Sequence, residues 1–574
     1  MIVLHDGANT DLSHIQAIAA IEEGFGLFDY VKISQRDNMA WIGQIIEPNR
    51  NISTVGQRLD PTILHGLELM QSSPNVQSTA SVQVFDILVL GQYDGRQMLT
   101  PRLRPMPGAI VERLQRDDTI NVIGIPRYEP QTDDENQVIE SNVIGILLNA
   151  DGVPLCFSNH LFNYHIMLAG GTGSGKSNAA ANLIWQATRA DKCVLVHDAK
   201  PDYGMVDAPN TDPNVIAIWE QFAQHGLIPR PANPVTKIGF FGRCNPNNVD
   251  RVVGFRASDF APAMLAALMF PDSAEQNQFE AFAGAAHTLS EQVQDPSNNR
   301  RSYSLDDILT LVEQRMRTNT PPREQVNDMT GRAILRKAAS RRRQMPWLDV
   351  IGQRITGTSR NSRLQASRLD NSAPTVQEFN LAQQIRPGGV IVIDYSQMDE
   401  ESYALILSYF LRVSQTYRRR REDVGIVQLV DEAHRIFDNE SRHSASLSRA
   451  FSRVMREGRS VDHSIVLSLQ NASQIPSRVM NNLNTQIVMR QNSKGEADSA
   501  TQTMGRDFSI QSMRLGTGHA LVSIHESRAV VLAQLAPSPY ELMRNDNTSN
   551  NRGNLPEIPP QETAIPSVDD DIPF

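Results

Sequence analysis

Cysteine is scarce: Cys156, Cys193 and Cys244 are the only three in 574 residues, and no Cys-x-x-Cys pair occurs. That excludes a disulfide scaffold and a thiolate zinc site, and it fits a reducing cytosol. Long apolar runs are also missing, and no stretch approaches the ~18 residues that a membrane-spanning helix needs. The opening MIVLHDGANTDLSH has no basic segment followed by a long apolar run. A secretory signal is therefore not expected, and the chain reads as cytoplasmic with no membrane partner. Positive charge is not in excess: 54 Lys+Arg face 64 Asp+Glu, a formal charge of -10. That sum does not exclude nucleic acid, but any DNA-binding surface must be a local basic patch. No repeat of fixed period runs through the chain.

What is present is an ordinary folded composition, 40% hydrophobic and 21% charged, over a length too great for one ordinary domain. Residues 1–125 read as short strands and turns. FDYVKISQ (28–35) and AWIGQIIEP (40–48) flank the turn Arg36-Asp37-Asn38, and SVQVFDILVLGQYDG (81–95) is a second β-rich run. The spacing suggests a small β-barrel. Residues 126–142 are mostly polar and acidic and suggest a connector. From 143 the grammar changes. VIGILLN and VPLCF form a predicted hairpin, and CVLVHD, GGVIVIDY, GIVQLVDE and SIVLSLQ are compact runs of the kind buried in a parallel sheet. Helical stretches between them make the class α/β. Residues 255–385 have helical periodicity and read as a helical insertion, which divides the core into 143–254 and 386–540. Residues 541–574, rich in Asn, Pro and acid, are expected to be a disordered tail.

The strongest motif is HIMLAGGTGSGKSN. Gly170, Gly171, Thr172, Gly173, Ser174, Gly175, Lys176 and Ser177 match G-x-x-x-x-G-K-S/T between an apolar strand and an Ala-rich helix. The glycines let backbone N–H groups curl around phosphates. Lys176 is expected on the β- and γ-phosphates of ATP and Ser177 on Mg²⁺. At the end of GIVQLVDE, Asp431 is expected to bind the metal and Glu432 to polarise the attacking water. His434 reads as a helix-surface or hinge residue. Gln470, closing SIVLSLQ, is either a γ-phosphate sensor or a strand-end cap. Asp198 is either a supporting carboxylate or a turn former. Arg453, Arg456 and Arg459 are spaced to share a helix face. They are either a solvated basic face or a source of an arginine for a neighbouring subunit's γ-phosphate.

In their order and wording, HIMLAGGTGSGKSN, VLVHDAKPDYG, GGVIVIDYSQMDEE, LVDEAHRIF, MREGRSVDHSIVLSLQ and IPSRVMNNLNTQIVMR resemble the HerA/FtsK superfamily of hexameric DNA-pumping ATPases, and within it the HerA family. No LSGGQ-like stretch is present. The resemblance implies a RecA-like core, a HerA-associated N-terminal barrel, a homo-hexameric ring with ATP sites at subunit borders, and a channel for duplex DNA. It makes Gln470 the sensor, Asp198 a supporting acid, and Arg459 or Arg456 the trans-acting arginine. Two departures stand out. The family often has Arg-His before the phosphate-loop strand where this chain has Tyr164-His165, and Asn471 stands where Arg is common. HerA relatives usually work with a separate nuclease or other effector, in DNA repair or antiviral defence. An alternative is a hexameric platform that licenses an effector without obligatory translocation. Lys337 with Arg341, Arg342 and Arg343, and the run from Arg418 to Arg421, are the candidate DNA contacts; each reads equally as a solvated helix face.

The chain ends Asp569, Asp570, Asp571, Ile572, Pro573, Phe574. This resembles the acidic tip of bacterial single-stranded DNA-binding protein, which ends in the same six residues. The resemblance implies docking onto proteins that read that tip. A terminal Phe would fill an apolar pocket, its carboxylate would pair with a basic side chain, and the Asp run would meet a basic rim.

Overall fold

The computed structural model describes residues 1–543 except 5–12, 21–22, 36–38, 54–62, 65–67, 69–80, 96, 115, 129–130, 133–137, 141, 151, 318–323, 356–374, 421–423, 438–441, 506, 526 and 528. The tail from 544, with its six-residue tip, and the turn at 36–38 lie outside the described residues.

The N-terminal strands are β1 (Ile2–Val3), β2 (His14–Ala20), β3 (Tyr30–Ser34), β4 (Ala40–Ser53), β5 (Ser81–Tyr93), β6 (Met98–Leu99) and β7 (Ile110–Arg113). They pair in the order β2-β1-β7-β3-β4-β5, and β5 pairs back onto β2, so six antiparallel strands close into a barrel with β6 beside β5. Closure needs a strongly bent strand. β4 supplies it through register shifts at Ile42/Gly43, Ile45/Glu47 and Pro48/Arg50. Ile15, Val31, Ile33, Trp41, Ile45, Phe85, Ile87 and Val111 fill the inside, and Trp41 Nε1 donates to Leu103 O at 2.8 Å. After β7 comes a helix, Arg116–Ile123, then the two-stranded ribbon β8 (Gln131–Thr132) and β9 (Val138–Glu140).

The remaining strands form one thirteen-stranded sheet: β10 (Val143–Leu147), β11 (Pro154–Cys156), β12 (Ile166–Ala169), β13 (Cys193–Asp198), β14 (Val235–Phe240), β15 (Arg251–Gly254), β16 (Gln377–Glu378), β17 (Val390–Asp394), β18 (Ile426–Val430), β19 (His463–Leu469), β20 (Thr485–Met489), β21 (His519–Ser523) and β22 (Val531–Leu535). Their order is β11-β10-β22-β21-β20-β12-β19-β18-β13-β17-β14-β15-β16. From β20 to β16 every pairing is parallel, and the other end is antiparallel. β12, β13, β18 and β19 are buried at every position, as expected for parallel strands covered on both faces.

Helices Pro262–Met269, Gln276–Gln294, Leu305–Arg315 and Asp328–Arg341 form a helical insertion between β15 and β16. Ser304 and Asp307 close a reciprocal cap on the third of these. Phe255, Phe260, Trp347 and Tyr409 pack edge to face where the insertion meets the core. The barrel is tied to the antiparallel end of the sheet. Tyr30 OH and Gln44 Nε2 donate to Val530 O at 3.2 and 2.8 Å, and Phe28 stacks on Phe508.

Candidate nucleotide site

The phosphate loop leaves β12 at Gly170, whose N–H donates to Leu469 O; the Gly171 N–H donates to Arg490 O. Gly173 and Gly175 adopt φ of 75° and 99°, where an L side chain is strained. A Cβ on Gly171 would lie 2.5 Å from Asn492. Thr172 and Gly173 are exposed at the tip, whereas Ser174 is buried. Helix Lys176–Arg189 starts at Gly175 with no side-chain cap. Its first N–H groups and the positive end of its dipole are therefore free to meet phosphate oxygens. Behind the loop, Arg490 Nη2 and Thr517 Oγ1 donate to Gly173 O at 3.3 and 3.4 Å.

Sheet order brings the other groups here. β12 and β18 are separated by β19 alone, and parallel strands end on the same side. Lys176 Nζ lies 3.4 Å from Asp431 Oδ1, 3.2 Å from Glu432 Oε1 and 3.0 Å from Ser468 Oγ. Ser468, on the intervening strand, donates in turn to Asp431 Oδ1 at 2.8 Å. Glu432 has left-handed backbone angles, φ 48° and ψ 39°. In a non-glycine residue this costs about 1 kcal/mol, and the turn aims the carboxylate back at Lys176. Gln470 Nε2 and Lys200 Nζ both donate to Glu432 Oε1 at 2.8 Å, while His434 Nε2 is 3.5 Å from Oε2. Ser177 Oγ donates to Asp202 Oδ2 at 3.0 Å. Asp198 accepts the backbone N–H groups of Asp202 and Tyr203 at 3.3 and 3.0 Å.

Charge is crowded. Burial, and then the neighbouring Asp431, push the Asp198 carboxyl well above the usual range. Burial raises Asp202 as well. Burial alone would raise Glu432, but the Lys176 and Lys200 charges hold it below its ordinary value. Burial pulls Lys176 down, yet Asp431 and Glu432 keep it net raised. Ser177, Asp202 and Asp431 offer hard oxygen donors only, which suits Mg²⁺ rather than a thiolate- or imidazole-seeking ion.

Lys176, Ser177, Asp431, Glu432, Gln470 and Asp198 therefore meet at one strand-end cluster. Arg456 and Arg459 do not. The end of helix Arg442–Gly458 packs at the entry of β12, where His165 Nε2 donates to Met455 O at 2.9 Å. Five residues at ~3.3 Å each then separate that end of β12 from Gly170, farther than an arginine side chain reaches. Arg456 is exposed, and its Nε donates to Ser452 O. Arg459, also exposed, lies 4.6 Å over the Tyr164 ring, which in turn packs on His525. Of the basic candidates, Arg342 pairs with Asp306, Lys337 with Glu275 and Arg419 with Glu457. Arg418 donates to Val461 O and Val424 O. Arg421 lies outside the described residues.

Sequence reasoning missed Lys200, Asp202 and Ser468. A signal existed for each. Lys200 and Asp202 follow Asp198 by two and four residues on the loop that leaves β13, and Ser468 precedes Gln470 by two on a strand, which puts both on one face.

An α/β sheet with a glycine-rich loop between β12 and its helix defines a nucleotide-binding site of the P-loop kind. Residues 142–413 match the family model described as the central domain of helicase HerA, so the chain carries a HerA-like domain. Residues 377–506, which include Asp431, Glu432 and Gln470, match the model for zonular occludens toxin (Zot). The chain is 23% identical over 477 residues to the DNA double-strand break repair helicase HerA of Pyrococcus furiosus, covering 76% of this chain and 75% of that protein. Among solved structures it is similar to VirB4 of Thermoanaerobacter pseudethanolicus, with 11% identity, TM-score 0.44, 71% of this chain and 98% of that one. It is also similar to the bacterial conjugative coupling protein TrwB, with 12% identity, TM-score 0.41, 69% and 89%. No helix among the described residues is long and apolar enough to cross a membrane.

Proposed function

We propose that the chain is a cytoplasmic, ring-forming ATPase that drives duplex DNA through a homo-hexamer and works with a separate nuclease or other effector in DNA repair or anti-phage defence. The observation that carries this reading is the meeting of Lys176 and Ser177, which lie inside the HerA-like domain, with Asp431, Glu432 and Gln470, which follow it in the chain, at the ends of adjacent parallel strands. ATP is the substrate, with its phosphates on loop 170–177. Lys176 turns to the β- and γ-oxygens. Glu432 accepts a proton as water attacks the γ-phosphorus and the bond to ADP breaks. Gln470, bonded to Glu432, is placed to sense the γ-phosphate. Asp198 supports the loop of Asp202. Ser177, Asp202 and Asp431 would hold Mg²⁺, which offsets phosphate charge.

Because Arg456 and Arg459 lie at the opposite end of β12, neither can serve the site of its own chain. One of them acting on a neighbour's γ-phosphate would place the sites at subunit borders. In this reading the effector docks on the barrel face, and the 569–574 tip binds proteins that read the tip of single-stranded DNA-binding protein.

One observation favours a second reading, a nucleotide-dependent platform that licenses an effector without obligatory translocation: the Arg459 guanidinium is already stacked on Tyr164 of its own chain. Steady-state ATP hydrolysis with and without linear duplex, beside Glu432→Gln, separates the two. Strong duplex stimulation that the variant loses supports the motor. Hydrolysis indifferent to duplex, with the variant still activating its effector, supports the platform.

A further inference from the structure

Glu432 is held by more groups than a phosphate loop and a sensor supply. Two lysines meet its Oε1, and only one of them, Lys176, belongs to the phosphate loop. The other, Lys200, makes the shorter contact, 2.8 Å against 3.2 Å. The two also differ in setting. Lys176 is buried, while the Lys200 side chain is 45% exposed and leans over a carboxylate that is 4% exposed. Lys200 stands on the loop after β13, two residues past Asp198, so its ammonium arrives from the strand next to β18. On the other oxygen, His434 Nδ1 faces the Gln470 N–H at 3.5 Å, which leaves the Nε2 proton to point at Glu432 Oε2.

When Lys176 engages phosphate, Glu432 loses its buried cation. A 4% exposed carboxylate in a left-handed turn then needs another partner to keep its direction.

We propose that Lys200 is a positioning residue for hydrolysis: with Gln470 on the same oxygen and His434 on the other, it keeps Glu432 aimed while Lys176 is engaged with phosphate. This role rests on the hydrolytic reading of the site. Glu432 still takes the proton from water; Lys200 acts through Glu432.

The test uses the full chain and measures kcat for wild type, Lys200→Met, Lys200→Arg and Glu432→Gln, with nucleotide affinity measured separately by a fluorescent ATP analogue. Lys200→Met keeps the aliphatic stem and removes the charge. It is expected to lower kcat at least tenfold while affinity stays within about threefold. Lys200→Arg should recover most of the lost rate. An unchanged kcat in Lys200→Met would overturn the role, as would a loss that Lys200→Arg does not recover. A loss confined to nucleotide affinity would also overturn it, by placing Lys200 on phosphate. A wild-type chain that binds ATP but does not hydrolyse it, with Glu432→Gln no different, overturns the hydrolytic reading and this role together.

Discussion

Two carboxylates of the nucleotide site sit in opposite electrostatic situations. Asp431 has Lys176 and Ser468 on its oxygen. Asp198 has two backbone N–H groups and, among the described residues, no cation within bonding distance, and burial beside Asp431 favours its protonated form. Asp198→Asn therefore mimics the neutral acid and should cost less than about fivefold in kcat, whereas Asp431→Asn should cost at least a hundredfold. Equal losses would show that Asp198 works as an anion. The arginines divide in the same way. Arg459 is stacked on an aromatic face of its own chain, and Arg456 folds back on its own helix. If Arg459 is the group offered to a neighbour, Arg459→Ala should lower kcat by about a thousandfold and Arg456→Ala by less than tenfold. Both should leave nucleotide affinity intact. The reverse ranking would move the role to Arg456.

At the scale of elements, the core of the sheet hides three neutral histidines. His165 accepts the Ile465 N–H at Nδ1 and donates to Met455 O. His197 and His463 flank Gln428, at 2.9 and 2.8 Å, across three neighbouring strands. Burial pulls His165 and His197 down to about 4 and His463 to about 3, from 6.5. The unfolded chain binds these protons near pH 6.5 and the folded one does not. Their contribution is therefore complete above pH 6.5 and declines as pH falls towards 4, by roughly 3 kcal/mol per histidine. Urea midpoints measured at pH 7 and pH 4.5 should differ sharply; equal midpoints would mean that the three carry charge in the fold. The same strands mark how far the sequence could be read. β12, β13, β17, β18 and β19 are mostly apolar runs rich in Val, Ile and Leu, and their burial is written in that composition, although His197, Gln428 and His463 interrupt it. β16 is two exposed polar residues, Gln377 and Glu378, and exists only because β15 offers it an edge. No local pattern could announce it. Lys176, Asp431, Glu432 and Gln470 stood out because their motifs are local. Lys200 and Ser468 did not, because what places them beside Glu432 and Asp431 is the order and register of β13, β18 and β19.

For the whole molecule, the barrel, the sheet and the helical insertion define which charges remain for DNA. Lys337 and Arg342 are paired with Glu275 and Asp306 within the insertion. Arg342→Ala should therefore lower thermal stability slightly and leave duplex-stimulated hydrolysis within about twofold of wild type. A tenfold loss of stimulation would place Arg342 on DNA. Removing Phe574 should abolish capture of proteins that bind the tip of single-stranded DNA-binding protein, with hydrolysis unchanged; undiminished capture would sink that reading of the tail. The thirteen-stranded sheet has a last consequence. It ends in a three-residue strand, β11, on one side and in the two-residue β16 on the other, and the barrel closes on itself. Among the described residues, neither body presents a long open row of main-chain donors and acceptors for another polypeptide to extend. Copies of this chain would therefore meet without adding strands to one another's sheets. Salt screens the ionic part of such a seam, so a ring built this way would part between its members without unfolding any of them.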